Sequence, residues 1–319
     1  MAEVAAKAEA ASPQREAAGT PAVKTVELSK RFGKTVALAG LSMTVPRGEV
    51  FGFLGPNGAG KTTAVKVLLG LLAPTSGEGW LLGKPVGDLG TRSRIGYLPE
   101  LFRYQSWLTA AEVLALHCEL APLPRASWKD EIATVLETVG LTDRAGDRVG
   151  TFSKGMQQRL GLGAALLGEP ELVFLDEPTS ALDPVGRHDV REIIRGLSAR
   201  GTAVFLNSHL LSEVEQVCDR VAVVDHGRVI AEGTMDELLG GTAVRVRATG
   251  LTQADKNKLS SFGKIDDEDD QLTFNNLNPD RVPELVAAIV EMGGRVYEVA
   301  PRHQTLEDRF LQLLADEEK

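Results

Sequence analysis

The stretch Gly55 to Thr63, which reads G-P-N-G-A-G-K-T-T, decides the fold of this chain. It fits the pattern G-x-x-x-x-G-K-[ST], a glycine-rich loop that binds phosphate. The run Glu49 to Leu54 before it is short and nearly all apolar, which predicts a strand covered on both faces. Ala64 to Leu72 after it carries apolar residues at helical spacing and ends at Ala73-Pro74. A strand, a glycine loop and a helix in this order predict a P-loop.

Each residue type in the loop has a mechanical reason to be there. Glycines let the backbone turn its N–H groups toward phosphate oxygens, and the following helix adds its positive end. Lys61 is expected to reach the outer phosphates and the Thr62 hydroxyl to ligate Mg²⁺. The nucleotide-binding residues expected here are Gly55, Pro56, Asn57, Gly58, Ala59, Gly60, Lys61, Thr62 and Thr63.

A second chemical feature is an acidic pair at the end of the apolar run Leu172 to Glu177, L-V-F-L-D-E. Asp176 is placed to hold Mg²⁺, and Glu177 to orient or deprotonate the attacking water. An acidic pair after a strand is more often a solvated turn. Together with a P-loop, however, it favours a nucleoside triphosphatase.

The remaining pattern predicts an α/β fold. Further apolar strands are readable at Arg94 to Leu98, Glu171 to Leu175, Thr202 to Asn207 and Arg220 to Asp225, with helical stretches between several of them. Such alternation predicts a mostly parallel sheet covered by helices, here the fold of a P-loop NTPase.

Beyond about residue 240 the chain predicts a small second α/β unit. Its elements are expected as a strand at Ala243 to Gly250, a helix at Thr252 to Phe262, an acidic turn at Asp266 to Asp270, a strand near Leu272 to Phe274, a helix at Pro279 to Met292, a strand at Arg295 to Val299, and a helix at Thr305 to Ala315 that Thr305 and Asp308 cap. We therefore expect a disordered tail over residues 1–22, a nucleotide-binding domain over 23–240 and an accessory domain over 241–319.

Composition narrows the classes of function. Of 319 residues, 43% are hydrophobic and 25% charged, which suits a globular protein. The net charge of −9 argues against wholesale binding to nucleic acid or anionic lipid. Two cysteines cannot form a disulfide framework, and no apolar run approaches the roughly 18 residues that cross a bilayer. If the protein works at a membrane, another chain spans it.

Over residues 23–234 the chain resembles the ATP-binding cassette family, the nucleotide-hydrolysing subunits of ABC transporters. The family-specific mark is the signature segment Phe152 to Met156, F-S-K-G-M, where the usual form is L-S-G-G-Q. Ser153 and Gly155 match that form, while the other three residues depart from it. The resemblance implies an ABC ATPase core with a helical subdomain, in which the signature of one copy closes over ATP held by the P-loop of another. A plain helix cap by Ser153 is the alternative reading.

Three further positions look similar to family elements. The segment Ser180 to Asp183 matches the loop that crosses to the opposing copy, which places Asp183 near the nucleotide. His209 matches the switch histidine that contacts the terminal phosphate, so it joins Glu177 as an expected catalytic residue. Phe32 matches the aromatic residue that stacks on adenine, with core packing as its alternative role. No N-K-x-D element for guanine is present in the sequence, which favours ATP.

The clearest departure from the family lies in Ile95 to Glu100, I-G-Y-L-P-E, where the last residue is normally Gln. Glu100 keeps an oxygen ligand for a hard cation but adds negative charge beside Asp176 and Glu177. The expected metal ligands are therefore Thr62, Glu100 and Asp176, and Glu100 is expected to alter metal affinity and the resting rate of hydrolysis.

Taken together, the resemblance implies an ATPase subunit of an ABC transporter that uses ATP and Mg²⁺. The single cassette and its extension, which ends in T-L-E-D-R-F at residues 305–310, look like exporters of the daunorubicin-resistance kind, which move drugs, lipids or polysaccharides. The implied partners are a second copy of the chain and separate integral-membrane permease subunits, with no nucleic acid. The implied location is the cytoplasm, on the inner face of the cell membrane.

Two alternatives stay open at this point. One is an importer ATPase with a regulatory C-terminal domain. The other is a soluble cassette ATPase that acts on ribosomes or DNA. For the accessory domain itself, a ligand sensor and a simple dimer brace are equally compatible with the residues.

Overall fold

The computed structural model describes residues 19–121, 123–180, 182–239, 243–268, 271–275, 277–302 and 305–317. Its strands are β1 (Val23–Phe32), β2 (Thr35–Val45), β3 (Val50–Leu54), β4 (Ser76–Leu81), β5 (Lys84–Pro85), β6 (Ile95–Leu98), β7 (Leu172–Asp176), β8 (Ala203–Asn207), β9 (Arg220–Asp225), β10 (Arg228–Thr234), β11 (Ala243–Thr249), β12 (Lys264–Glu268), β13 (Gln271–Asn275) and β14 (Arg295–Arg302). Its α-helices are α1 (Lys61–Leu68), α2 (Ala110–Leu120), α3 (Trp128–Thr138), α4 (Lys154–Leu166), α5 (Pro184–Ala199), α6 (Leu211–Val217), α7 (Met235–Leu239), α8 (Gln253–Leu259), α9 (Val282–Glu291) and α10 (Leu306–Glu317).

A six-stranded sheet in the order β10-β9-β3-β8-β7-β6 forms the centre of the first unit. The five strands from β9 to β6 are parallel, and β10 pairs with β9 in the antiparallel sense. Every residue of β3, β7 and β8 is buried, as continuous apolar runs require when helices and a second sheet cover both faces. The predicted α/β fold with a mostly parallel sheet is confirmed.

A second sheet, antiparallel and in the order β2-β1-β4-β5, covers one face together with α1. The core between them contains Phe51 and Phe53 of β3, Phe205 of β8, and Leu38 and Leu41 of β2. The sequence analysis did not predict this sheet, because β4 and β5 are short and mostly exposed and so lack a hydrophobic pattern.

The opposite face of the central sheet lies against helices. Three of them, α2, α3 and α4, pack on one another as the predicted helical subdomain. Thr109 caps α2 in a capping box with Glu112, and the Ser153 hydroxyl caps α4 by accepting a hydrogen bond from Met156 N at 3.2 Å. No described helix is both long and apolar enough to cross a bilayer.

The second unit has its own sheet, in the order β12-β13-β11-β14, with all pairs antiparallel. The chain order β11-α8-β12-β13-α9-β14 with this strand order is the ferredoxin-like arrangement. Its separate core includes Val246, Phe274, Leu285 and Ile289.

One expectation for this unit is wrong. Asp266 and Asp267 lie in strand β12 rather than in an acidic turn, because β12 pairs with β13 and Lys256 donates to the Asp267 carboxylate at 2.6 Å. Asp269 and Asp270, the rest of that predicted turn, lie outside the described residues.

The domain boundaries fall partly outside the described residues. Residues 240–242, at the predicted boundary between the units, are not among them, nor are residues 1–18 of the predicted tail. Ala22, however, is fully buried, donates to Val45 O and accepts from Leu82 N at 2.8 Å each. Ala22, the last residue of the predicted tail, is therefore part of the folded unit.

Helix α10 packs on the first unit, although the sequence analysis assigned it to the second. Leu306 is buried in the core beneath the central sheet, with Phe310 and Leu313 packed against it. α10 contacts α6 and α7, and Leu306 N donates to Glu215 Oε2 of α6 at 3.3 Å. The predicted capping box is present, since Thr305 Oγ1 and Asp308 N are 3.1 Å apart.

Candidate active site

Four neighbouring strands deliver the expected site residues to one edge of the central sheet. The strands β3, β8, β7 and β6 are parallel and adjacent, so their carboxyl ends meet at that edge. The Gly55 loop follows β3, and Glu100 lies two residues after β6. Asp176 ends β7, and His209 lies two residues after β8.

The loop after β3 has the backbone geometry of a phosphate cradle. Gly60, which precedes α1, has a φ of 99°, and a Cβ atom there would collide with the Ala37 carbonyl oxygen. A Cβ at Gly55 would collide with Val224 O. Gly58, with a φ of 88°, meets nothing within 4 Å, so this part of the loop is open to a ligand.

Lys61, the first residue of α1, lies folded into this loop. Its ammonium group donates to Gly55 O at 2.6 Å and to Pro56 O at 3.1 Å, and only 9% of the residue is exposed. Burial lowers the pKa of Lys61, while the nearby charges of Glu177 and Asp176 oppose that shift. The ammonium group is thus buried beside two carboxylates, and two of its three N–H donors are used by backbone carbonyl oxygens of the loop.

Asp176 is almost completely buried at the end of β7. Asn207 Nδ2, at the matching position of β8, donates to Asp176 Oδ1 at 2.5 Å. Burial raises the pKa of Asp176 above its ordinary value, and the Asn207 hydrogen bond and the charge of Lys61 counteract the rise.

Glu177 has a backbone that non-glycine residues rarely adopt, with a φ of 52°. Its N–H donates to Asn207 O at 2.8 Å, and its carbonyl oxygen accepts from the Ser180 hydroxyl at 3.2 Å. His209 Nδ1 lies 2.7 Å from Glu177 Oε2. Burial raises the pKa of Glu177, and the contact with His209 acts in the opposite direction. The two expected catalytic residues are therefore in direct contact.

Glu100 lies at the exposed side of the same edge. Its charge contributes to the raised pKa values of Asp176 and of Tyr97 in β6. The negative charge that the sequence analysis expected beside Asp176 is therefore present.

Other expected nucleotide contacts lie outside this cluster. Phe32 ends β1 and is 48% exposed, with Lys30 Nζ 5.2 Å from its ring centroid, so core packing is not its role. Asp183 caps α5 by accepting from Gly186 N at 2.8 Å. Its neighbour Ala181, in the segment expected to cross to a second copy, lies outside the described residues.

Ser153 and Lys154 of the signature segment form the exposed start of α4, whereas Phe152 is buried. Ser153 is exposed, and its hydroxyl hydrogen is not committed to the cap that its oxygen accepts. A Cβ on Gly155 would come within 3.7 Å of Leu182, so this surface adjoins the segment that leads to Asp183. The helix cap that the sequence analysis weighed for Ser153 is present, and it leaves the hydroxyl free to donate outward.

The oxygen atoms available at the sheet edge suit a hard cation as ligands. Thr62, Asp176 and Glu100 offer hydroxyl and carboxylate oxygens, which Mg²⁺ prefers. Within the described residues no three acidic, histidine or cysteine side chains are arranged to hold a metal alone. A magnesium ion shared with phosphate oxygens needs only one or two protein carboxylates. The Asn207 Oδ1 atom, buried beside Asp176 and without a hydrogen-bond partner, also fits a hydrated ion.

The sequence analysis missed Asn207, which contacts both acidic residues. The available signal was an amide residue at the end of an otherwise apolar strand, A-V-F-L-N, two residues before His209. A polar side chain at the buried end of such a strand needs a hydrogen-bond partner.

A phosphate cradle beside two buried carboxylates and a histidine defines a P-loop ATPase of the cassette type. Residues 38–180 match the family model described as ABC transporter. The chain is 40% identical to the daunorubicin resistance ATP-binding protein DrrA3 of Streptomyces coeruleorubidus, over 91% of this chain and 95% of that protein. It is 34% identical to the Nod factor export ATP-binding protein I of Rhizobium sp. (strain N33), over 93% and 98% respectively.

A solved structure agrees in fold. The ATP-binding subunit of an ABC transporter matches with a TM-score of 0.62 and 32% identity, over 69% of this chain and 92% of that one. The chain belongs to the ABC transporter family, as an ATP-binding and ATP-hydrolysing subunit. The family resemblance is thereby confirmed.

Proposed function

We propose that this subunit powers export through an ABC transporter, with a drug, lipid or polysaccharide as cargo. The names of two relatives that match over most of their length refer to drug resistance and to export. The ferredoxin-like extension fits the same group, because matches that cover 91% and 93% of this chain must include most of it. Separate permease subunits would provide the membrane path, and the cassette would sit on the cytoplasmic face.

The proposed chemistry is hydrolysis of ATP at the edge formed by β3, β8, β7 and β6. The Gly55 to Thr63 loop would hold the phosphates, and Phe32 the adenine. Thr62, Asp176 and Glu100 would hold Mg²⁺, which when bound neutralises phosphate charge and orients the terminal group. Glu177 would accept the proton of the attacking water, and His209 would contact the terminal phosphate. The observation that carries this assignment is the 2.7 Å contact of His209 with Glu177.

The proposed working form is a head-to-tail dimer. Ser153 and Gly155 at the exposed start of α4 present a hydroxyl, backbone N–H groups and the positive end of a 13-residue helix. Such a surface suits a phosphate, and the phosphate in question would be held by the P-loop of the second copy. Leu182 lies next to Gly155, and Asp183 follows Leu182 in the chain, so Asp183 would enter the same interface.

A groove between the helical subdomain and β6 is the proposed permease contact. It has a volume of about 380 Å³ and is lined by Tyr97, Pro99, Phe102 and Leu120, among others. Leu120 in its lining and Leu101, which lies in the chain between the lining residues Pro99 and Phe102, are largely exposed. Exposed apolar side chains that rim a groove are typical of a protein-binding surface. We expect a short helix of the permease to occupy it.

Sedimentation of the full chain tests the dimer. Glu177→Gln with ATP and Mg²⁺ should sediment as two copies, and without nucleotide as one. Adding Ser153→Glu should keep it as one copy, because the new carboxylate repels the phosphate of the other molecule. The matched control is Ser261→Glu, which adds the same charge at an exposed serine in the second unit, away from the signature segment. A single-copy species in every nucleotide-bound sample would refute the sandwich.

Co-purification tests the transporter assignment. The wild-type chain, isolated from gently solubilised membranes, should bring an integral-membrane subunit with it, and Leu120→Glu in the groove should reduce the yield of that subunit. Recovery of ribosomal proteins or a periplasmic binding protein instead would favour one of the alternatives named from the sequence.

A further inference from the structure

We infer that Asn207 is a positioning residue that orients the Asp176 carboxylate for Mg²⁺ and fixes the backbone of Glu177. The inference rests on the proposed metal site at Asp176. It concerns a residue to which neither the motifs nor the comparisons assign a role.

The contacts of Asn207 join the two acidic residues. Its side-chain Nδ2 donates to Asp176 Oδ1, and its backbone oxygen accepts from Glu177 N at 2.8 Å. The parallel pairing of β7 with β8 sets Asp176 opposite Asn207, so the side-chain bond follows from strand register. One residue therefore holds the expected metal ligand by its side chain and the expected base by its main chain.

The orientation of the amide follows from its surroundings. With Nδ2 toward Asp176, a donor faces a carboxylate oxygen; the reversed amide would place two oxygens together. Because Asn207 holds Oδ1, Oδ2 is the oxygen that remains for a metal ion. The arrangement thus selects which carboxylate oxygen is presented and restricts rotation of the side chain.

Burial makes this hydrogen bond consequential. Asn207 and Asp176 are 2% and 3% exposed, so water cannot easily replace the amide donor if it is removed. The hydrogen bonds that orient metal-ligating carboxylates commonly matter about 10- to 100-fold for metal affinity or activity. The unpartnered Oδ1 of Asn207 adds an acceptor beside the same carboxylate, where water bound to the ion can donate.

The experiment measures nucleotide binding and needs no turnover. The affinity of the full-length protein for a fluorescent, non-hydrolysable ATP analogue is determined in excess Mg²⁺ and in EDTA. The dissociation constant in EDTA divided by that in Mg²⁺ reports how much the metal strengthens binding. Asn207→Leu, which keeps the size but removes the donor, should lower the ratio about 10-fold or more, with binding in EDTA unchanged.

Two controls separate a structural loss from a positioning effect. Thr25→Ala removes another buried hydrogen-bonding side chain, which accepts from Met43 N in the second sheet, and should leave the ratio unchanged. If Asn207→Leu does not fold, Asn207→Ala serves in its place. A wild-type ratio in a folded Asn207 variant would overturn the inference.

Asp176→Asn distinguishes failure of the inference from failure of the proposed site. This variant should lose most of the contribution of Mg²⁺. If it does and the Asn207 variants do not, the metal site stands and the role of Asn207 is refuted. If Asp176→Asn keeps the wild-type ratio, the proposed metal site is wrong, and the inference falls with it.

Discussion

Glu177 combines a buried carboxylate with a left-handed backbone, and each feature costs free energy. A non-glycine residue in this region is destabilised by roughly 1–3 kcal/mol, and burial penalises the charged carboxylate. The neighbours that offset these costs are Asn207, Ser180 and His209. Strain of this kind persists only where the surroundings enforce it. We therefore expect a substitution that keeps the shape of Glu177 to reduce ATP turnover without disturbing ATP binding.

Glu177→Gln should reduce ATP turnover by about 100-fold or more, because an amide cannot accept the proton of water. Affinity for ATP should stay within about twofold, since the shape and burial of the side chain are retained. Phosphate release and equilibrium nucleotide binding measure the two effects. Glu169→Gln is the matched control, because Glu169 has nearly the same φ, 50°, but is exposed and remote from the sheet edge. Turnover near the wild-type rate in Glu177→Gln would contradict its assignment as the base.

Glu100 stands where the family resemblance leads one to expect Gln. Its charge disfavours ionisation of Asp176, so Glu100→Gln should preserve or raise the rate of ATP hydrolysis. The amide retains an oxygen that can approach Mg²⁺. The rate is measured across a range of Mg²⁺ concentrations, with Glu78→Gln in β4 as the control. A collapse of activity would mean that the charge of Glu100 is required.

At the scale of elements, buried polar and apolar contacts tie the helices around the site together. Helix α5 begins after Asp183, and its Arg191 donates to both carboxylate oxygens of Glu213 in α6, at 2.9 and 2.8 Å. Helix α6 begins two residues after His209, and α10 also contacts α6. Helix α5, the segment that contains His209, and α10 are therefore parts of one packed assembly.

Leu306→Ala tests how firmly α10 is attached. Leu306 is 1% exposed, and its truncation should lower the free energy of unfolding by about 2–5 kcal/mol if the cassette and α10 unfold together. Leu311→Ala on the same helix, where the residue is 60% exposed, should change it by less than about 0.5 kcal/mol. Chemical denaturation of both variants measures the difference. Equal effects would mean that α10 is not an integral part of the cassette core.

For the whole molecule, binding of ATP links the site to stability. A ligand at 100 times its dissociation constant stabilises the folded state by about 2.7 kcal/mol, which for a domain of this size raises Tm by roughly 5–10 °C. Lys61→Ala should lose this rise, because its ammonium group is the cation in the loop. Lys66→Ala, exposed and on the same helix, should keep it. Thermal unfolding with and without ATP measures the increase in Tm. An undiminished increase in Lys61→Ala would contradict the proposal that this loop binds the phosphates of ATP.

The sequence alone determined the class of protein and predicted most of the residues that lie together at the candidate site. The P-loop, the acidic pair and the signature are local patterns, and residues within about ten positions carry each of them. The alternation of strands and helices likewise predicted a parallel sheet, because apolar periodicity reports burial directly. Glycine positions such as Gly60 were predictable for a different local reason: the left-handed backbone and the close contact at this position both require glycine.

Only the tertiary structure decided which of these elements meet. The order β3-β8-β7-β6 brings Asn207 onto Asp176 and His209 onto Glu177, pairs that lie about 30 residues apart in the chain. The tertiary structure also shows that α10 packs on the cassette rather than on the accessory unit, and that part of the predicted acidic turn lies in strand β12. These outcomes depend on long-range packing and strand register, in which distant side chains compete for burial, and local residue patterns do not encode that competition.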